Sequence, residues 1–69
     1  MNKPRDTWPN SANRFMVFSE QVGVEATTCT REMAVGTLLA IRQHRECWLF
    51  YADWDDEECC EAWHLDKTI

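Results

Sequence analysis

From Glu46 to Asp66 the chain reads Glu-Cys-Trp-Leu-Phe-Tyr-Ala-Asp-Trp-Asp-Asp-Glu-Glu-Cys-Cys-Glu-Ala-Trp-His-Leu-Asp, with eight carboxylates and no Lys or Arg. No other stretch constrains the fold as tightly. Its first half, Cys47 to Ala52, is apolar and aromatic in both directions and has to be buried. Its second half is the densest acidic cluster of the protein, and it has to stay in water or against something basic.

The rest of the chain must supply what covers the apolar half. Sixty-nine residues allow one domain with a modest core. The apolar content, 45%, is that of a folded chain. Such a domain gains stability by docking or by pairing, so a monomer or weak homodimer is expected. Charge is unevenly placed. Residues 1–45 hold six bases and four acids, whereas residues 46–69 hold eight acids and one base. Phosphates would be repelled by the C-terminal part, which argues against direct nucleic-acid binding and for a basic protein partner. The first residues lack the apolar core of a secretory signal, and no apolar run is long enough to span a bilayer. A cytoplasmic protein with four free thiols, not a disulfide framework, is the expectation.

Residues 1–13 read as an arm, because Pro4, Pro9, Asn2, Asn10, Ser11 and Asn13 favour turns, with Trp8 pinning it to the core. The compact domain is expected over residues 14–69. Arg14 to Ser19 is a strand, apolar on both faces and therefore central. Glu20-Gln21 makes a turn, and Val22 to Thr27 returns as a second strand in which Gly23 marks a bulge. Thr27, Thr28 and Thr30 offer N-caps for a helix from Arg31 to about His44. Its apolar residues, among them Met33, Leu38, Leu39 and Ile41, are spread so widely that packing on more than one side is expected. Gly36 then permits a close approach, and Arg42, His44 and Arg45 suit the negative end of the dipole. Cys47 to Ala52 is the third strand, chosen over a continuing helix for its aromatic content. Asp53, Asp55 or Asp56 caps a second helix reaching Leu65, with Cys59, Cys60, Ala62 and Trp63 inward and Glu57, Glu58 and Glu61 outward. The expected fold is α+β: a three-stranded antiparallel sheet packed with two helices, in the order β-β-α-β-α.

Three constellations carry chemistry. The first is the acidic face, Asp53, Asp55, Asp56, Glu57, Glu58 and Glu61, with Trp54 as an aromatic anchor. As a helix, its fourteen residues to Asp66 would span about 21 Å, with a charge density similar to one side of duplex DNA. A solvated helix face explains Glu57 and Glu58 as well. The second is a zinc or thiol module from His44, Cys47, Cys60 and His64, whose spacings fit metal ligation but lack a Cys-x2-Cys knuckle. The third is a Cys–His nucleophile. The acids around Cys59 and Cys60 oppose a reactive thiolate, and the chain has little room for a substrate pocket, so no enzyme and no cofactor are expected. Arg31, Arg42 and Arg45 without interleaved aromatics are a weak nucleic-acid signal.

In size, charge and lack of any enzyme motif the whole chain resembles the small acidic inhibitors encoded by phages and mobile elements, above all the anti-CRISPR proteins. The likeness is one of character and carries over no residue roles. It implies a non-catalytic inhibitor of a bacterial host protein. The partner would be a Cas subunit or Cascade-type surveillance complex, in which the inhibitor blocks DNA recognition or nuclease recruitment. A structural or antitoxin-like accessory domain is the blander alternative.

Overall fold

The computed structural model describes residues 8–69, so the readings placed on Asn2 and Pro4 lie outside the described residues. The elements are β1 (Phe15–Ser19), β2 (Gly23–Thr28), α1 (Arg31–Ile41), β3 (Trp48–Asp55) and β4 (Cys60–Leu65). They form one antiparallel sheet in the order β2-β1-β3-β4, with the helix on one face. The α+β class holds, as a four-stranded sheet with one helix in the order β-β-α-β-β.

The two strands read as apolar on both sides, β1 and β3, are the central ones, and a separate core lies on each face. Val17 and Leu49 meet Ala34, Leu38 and Cys47 beneath the helix, with Phe15, Val35, Ile41 and Ile69 around them. On the opposite face Met16, Phe50 and Trp63 are buried together against Phe18, Val24, Trp48 and Ala52. Phe18 meets Phe50 edge-on, with ring centroids 6.1 Å apart.

The β1–β2 connection is the expected turn, and Gly23 takes φ +93°, a conformation that only glycine adopts at no steric cost. The bulge expected at Gly23 falls elsewhere: Ser19↔Gly23 stays paired, and the register slips by one residue between Val17↔Ala26 and Phe18↔Val24, so Glu25 is the extra residue. The carboxylate of Glu25 accepts from the buried Ser19 hydroxyl at 2.7 Å and from Nε and Nη2 of Arg45, 2.8 Å at Nη2. The Arg45 and Ser19 hydrogen bonds hold the Glu25 carboxyl far below its ordinary value, at about 2. This clasp ties the β1–β2 hairpin to the loop after α1.

Thr30 is the N-cap of α1, its hydroxyl accepting from the Met33 amide at 3.3 Å. The helix ends at Ile41, before the expected His44. Arg42 and Arg45 do not serve the dipole of its last turn: Arg42 donates to the Cys47 carbonyl, 3.3 Å from Nη2, and Arg45 holds Glu25. Nor is α1 packed on more than one side. It crosses β1, β2 and β3 only, and Met33 (55%) and Leu39 (54%) are exposed. The reason is numerical, since one helix on one sheet face can bury only one stripe. Gly36 therefore permits no close approach, and a methyl group added there would touch nothing within 4 Å. Trp8, expected to pin the arm, is 62% exposed, and Asn13 donates its side-chain amide to the Trp8 carbonyl at 3.1 Å.

The main correction concerns residues 56–65. No second helix forms. The segment is a turn followed by β4, which pairs with β3 from Phe50↔Leu65 to Asp55↔Cys60 without interruption. Cys, Trp and His rank low in helix propensity, whereas a ladder satisfies the peptide groups along the outer side of β3, which a helix would leave open. Trp63 enters the core opposite α1 and Ala62 faces the other side, so burial is split between two faces, not gathered in a stripe. Cys59, placed inward on the expected helix, is exposed, and Cys60 is only partly buried.

Candidate functional site: the acidic ribbon

β1 pairs with β3 only between Phe18↔Trp48 and Phe15↔Tyr51, with a last hydrogen bond from the Ala52 amide to the Arg14 carbonyl at 2.9 Å. Beyond Ala52, β3 and β4 continue as a two-stranded ribbon, closed by a turn at residues 56–59. Three further residues per strand extend it by about 10 Å at about 3.3 Å per residue. The acidic residues lie on this ribbon and its turn.

Local chemistry explains the turn. The Asp55 carboxylate accepts from the amides of Glu57 (2.9 Å) and Glu58 (3.3 Å). This is the cap expected at a helix N-terminus, used here to close a four-residue hairpin loop. Cys59 returns the chain at φ +54°, the one positive-φ residue other than glycine among the described residues. Its thiol lies 3.5 Å from the Asp56 carbonyl.

Alternation along the strands sorts the side chains. Asp53 and Asp55 share the helix side with their partners Ala62 and Cys60, while Trp54 faces the other way beside Glu61. Trp54 is 56% exposed, and Asp53, Asp56, Glu57 and Glu58 are exposed as well. Glu61 has a structural bond: both its oxygens take the Arg14 guanidinium, which also donates to the Ala52 carbonyl at 3.3 Å. Arg14 thus clamps the base of the ribbon to the start of β1. Sequence reading missed that role, because the two partners lie 47 positions apart and no local pattern links them. Of the seven residues expected to meet a partner, Asp55 shapes the turn and Glu61 anchors the ribbon. Asp53, Trp54, Asp56, Glu57 and Glu58 form its exposed surface.

The arginines that suggested a basic stripe all have partners within the chain, although Arg31 and Arg42 stay exposed. Arg31 reaches Asp66 at 3.2 Å and the Thr68 hydroxyl at 3.1 Å, while Arg42 and Arg45 are engaged as described. Hydrogen bonds from Thr68, then Arg31, hold the Asp66 carboxyl below its ordinary value.

The proposed metal quartet is dispersed. Cys60 and His64 would stack on a helix, but on β4 they stand about 13 Å apart along the strand. Cys47 is buried, its thiol 3.6 Å from the Leu38 carbonyl and pushed up in pKa by burial. His44 is exposed in the turn after α1. Among the described residues no three His, Cys, Asp or Glu side chains gather as metal ligands. His64 instead stacks on Tyr51 at 5.6 Å, with Nε2 3.2 Å from the Asp53 carbonyl oxygen. Among the described residues no helix is long and apolar enough to cross a membrane.

Comparison with known protein families, with curated proteins and with solved structures finds no match to this chain.

Proposed function

We propose that the protein is a non-catalytic inhibitor that docks its acidic ribbon into the basic, nucleic-acid-binding groove of a partner. The class of partner that fits is a Cas subunit or surveillance complex. The observation that carries this reading is the ribbon itself, a projecting hairpin with acids at its tip, an exposed tryptophan and no base between Glu46 and Asp66.

Magnitudes favour a groove built for phosphates. Beyond Ala52 the ribbon extends by about 10 Å, over which one side of a duplex shows about three charges. Asp53 and the turn residues Asp56, Glu57 and Glu58 place four exposed carboxylates there. This density replaces the one reckoned for a helix, and it is reached over a shorter, narrower element. The exposed charges speed encounter, and Trp54 supplies the desolvated anchor that slows release.

The test is capture of Cas proteins from a lysate of CRISPR-bearing bacteria by the tagged protein, at low and high salt, against the variant Asp53→Lys, Asp56→Lys, Glu57→Lys. Asp55 is left intact because its carboxylate holds the turn. Capture that falls with salt and is lost in the folded variant supports the reading. Equal capture by the variant, or no Cas protein at either salt, overturns it.

A further inference from the structure

The surface that α1 turns away from the sheet carries one acid, one base and a run of apolar residues. At about 100° per residue, Gly36 lies opposite the buried Ala34 and Leu38. Met33 and Ala40 stand on one flank of that line, and Glu32, Leu39 and Arg42 stand on the other, all of them exposed. A surface helix of a lone domain puts charged or polar side chains where α1 puts Met33 (55% exposed) and Leu39 (54%).

Charge decides what can cover this face. The chain carries −5 overall, yet residues 31–45 hold three bases and one acid. β4, which forms one side of the acidic ribbon, does not touch α1. Two copies of an acidic chain therefore meet with least repulsion through α1. The face is also complementary to itself. Glu32 lies in the first turn, and Arg42 is the C-cap. Among the described residues no base pairs with Glu32 and no carboxylate pairs with Arg42. Arg42 spends only Nε and Nη2, on the Cys47 carbonyl at 3.4 and 3.3 Å.

We infer that α1 packs antiparallel against α1 of a second copy, about a two-fold axis near Gly36. Such an axis sets like flank against like flank and exchanges the ends. Glu32 of each copy then comes beside Arg42 of the other, and two ion pairs frame an apolar middle. Nothing within the chain comes within 4 Å of a methyl group added at Gly36, so there the two backbones can approach closely. Met33 and Leu39 lose their water on either side. The eleven residues of α1 span about 16 Å, so the contact is smaller than the roughly 1,000 Å² of a stable interface. The pair is therefore weak, with Kd above about 1 µM. Both ribbons stay outside the contact, so the pairing is independent of what the ribbon binds.

Sedimentation of the full chain under reducing conditions, from about 10 µM to about 1 mM, reads the association. Glu32→Arg and Arg42→Glu are compared singly and as an equimolar mixture, each checked for the native fold by circular dichroism. The parent should rise with concentration from the mass of one chain toward that of two. Each single variant sets like charges together at both ends and should associate at least about tenfold more weakly. The mixture restores an acid opposite a base at both ends and should recover association to within about threefold of the parent. Gly36→Glu, open within the chain, should abolish pairing, and it decides the matter if Arg42→Glu fails to fold. A single-chain mass at the highest concentration overturns the inference, as does pairing of Gly36→Glu equal to that of the parent. Folded single variants that associate as the parent does, or a mixture no tighter than either of them, also overturn it. So do amide shifts on dilution that fall outside α1, by giving the contact to another surface.

Discussion

Replacing Cys59 by glycine should stabilise the protein. Cys59 closes the β3–β4 turn at φ +54°, where a residue with a Cβ is strained by about 1–2 kcal/mol. Glycine removes that strain but has more freedom to lose on folding, a cost of about 0.5–1 kcal/mol. The side chain is exposed and makes one weak thiol contact, to the Asp56 carbonyl, so little packing is forfeited. The difference leaves a gain of about 0.5–1 kcal/mol. For a domain of this size that raises Tm by about 2–8 °C. The sign is what matters. Had residues 56–65 been a helix, glycine at this site would cost about 0.3–0.5 kcal/mol relative to cysteine, besides the loss of an inward side chain. Thermal and urea unfolding of Cys59→Gly beside Cys59→Ala separates the backbone from the thiol, because alanine keeps the Cβ and removes the sulfur. A glycine variant no more stable than the alanine variant, or less stable than the parent, would refute the hairpin argument.

Gly36→Ala should also stabilise, by about 0.5–1 kcal/mol, because the site is helical and open; a fall in the urea midpoint would show a neighbour that the structure lacks. Leu38→Ala removes the fully buried centre of the core beneath α1 and should cost about 2–5 kcal/mol, measured by urea unfolding, against a total of only about 4–10 kcal/mol for a chain this long. Acid stability should follow Glu25, whose carboxyl ordinarily titrates near 4.5 and in the fold near 2. Between those values the unfolded chain takes up a proton that the folded one refuses, so this contribution is full above about pH 4.5 and is lost as pH falls through about 2. Urea midpoints from pH 6 to pH 2 should therefore fall less steeply in Glu25→Gln, from a lower starting value; parallel curves would exclude the clasp.

Much of this fold can be read from the chain because its central strands are apolar on both faces. That pattern has few other uses in a short protein, and it located β1 and β3 and marked β1 as central; that β3 is central too depends on the fourth strand, which the sequence pattern did not show. A threonine cap was readable for a similar reason, although Thr27, Thr28 and Thr30 all stand ahead of the same run of helix formers and only the structure selects Thr30. The second half of the β3–β4 hairpin was not readable. Asp55 and the acids after it are as good a start for a helix as for a turn, because both present free amides to a carboxylate. What decides between them is tertiary: the outer side of β3 needs a partner, and Trp63 is buried in one cluster with Met16 and Phe50. Neither fact is local. The acidic cluster itself was plain from composition. Its division into shaping residues, Asp55 and Glu61, and exposed ones depended on turn geometry and on Arg14, far away in sequence.

If the acidic ribbon occupies a nucleic-acid groove, protein and DNA must exclude each other. The direct measurement is a mobility-shift titration of target DNA bound by the captured Cas complex, with the parent protein and with the variant carrying Asp53→Lys, Asp56→Lys and Glu57→Lys. Loss of the DNA-bound band at about one equivalent of parent protein, release of that protein by excess DNA, and no effect of the variant are the expected results. A DNA-bound band that survives saturating parent protein, or equal inhibition by the lysine variant, would contradict the proposed role of the ribbon.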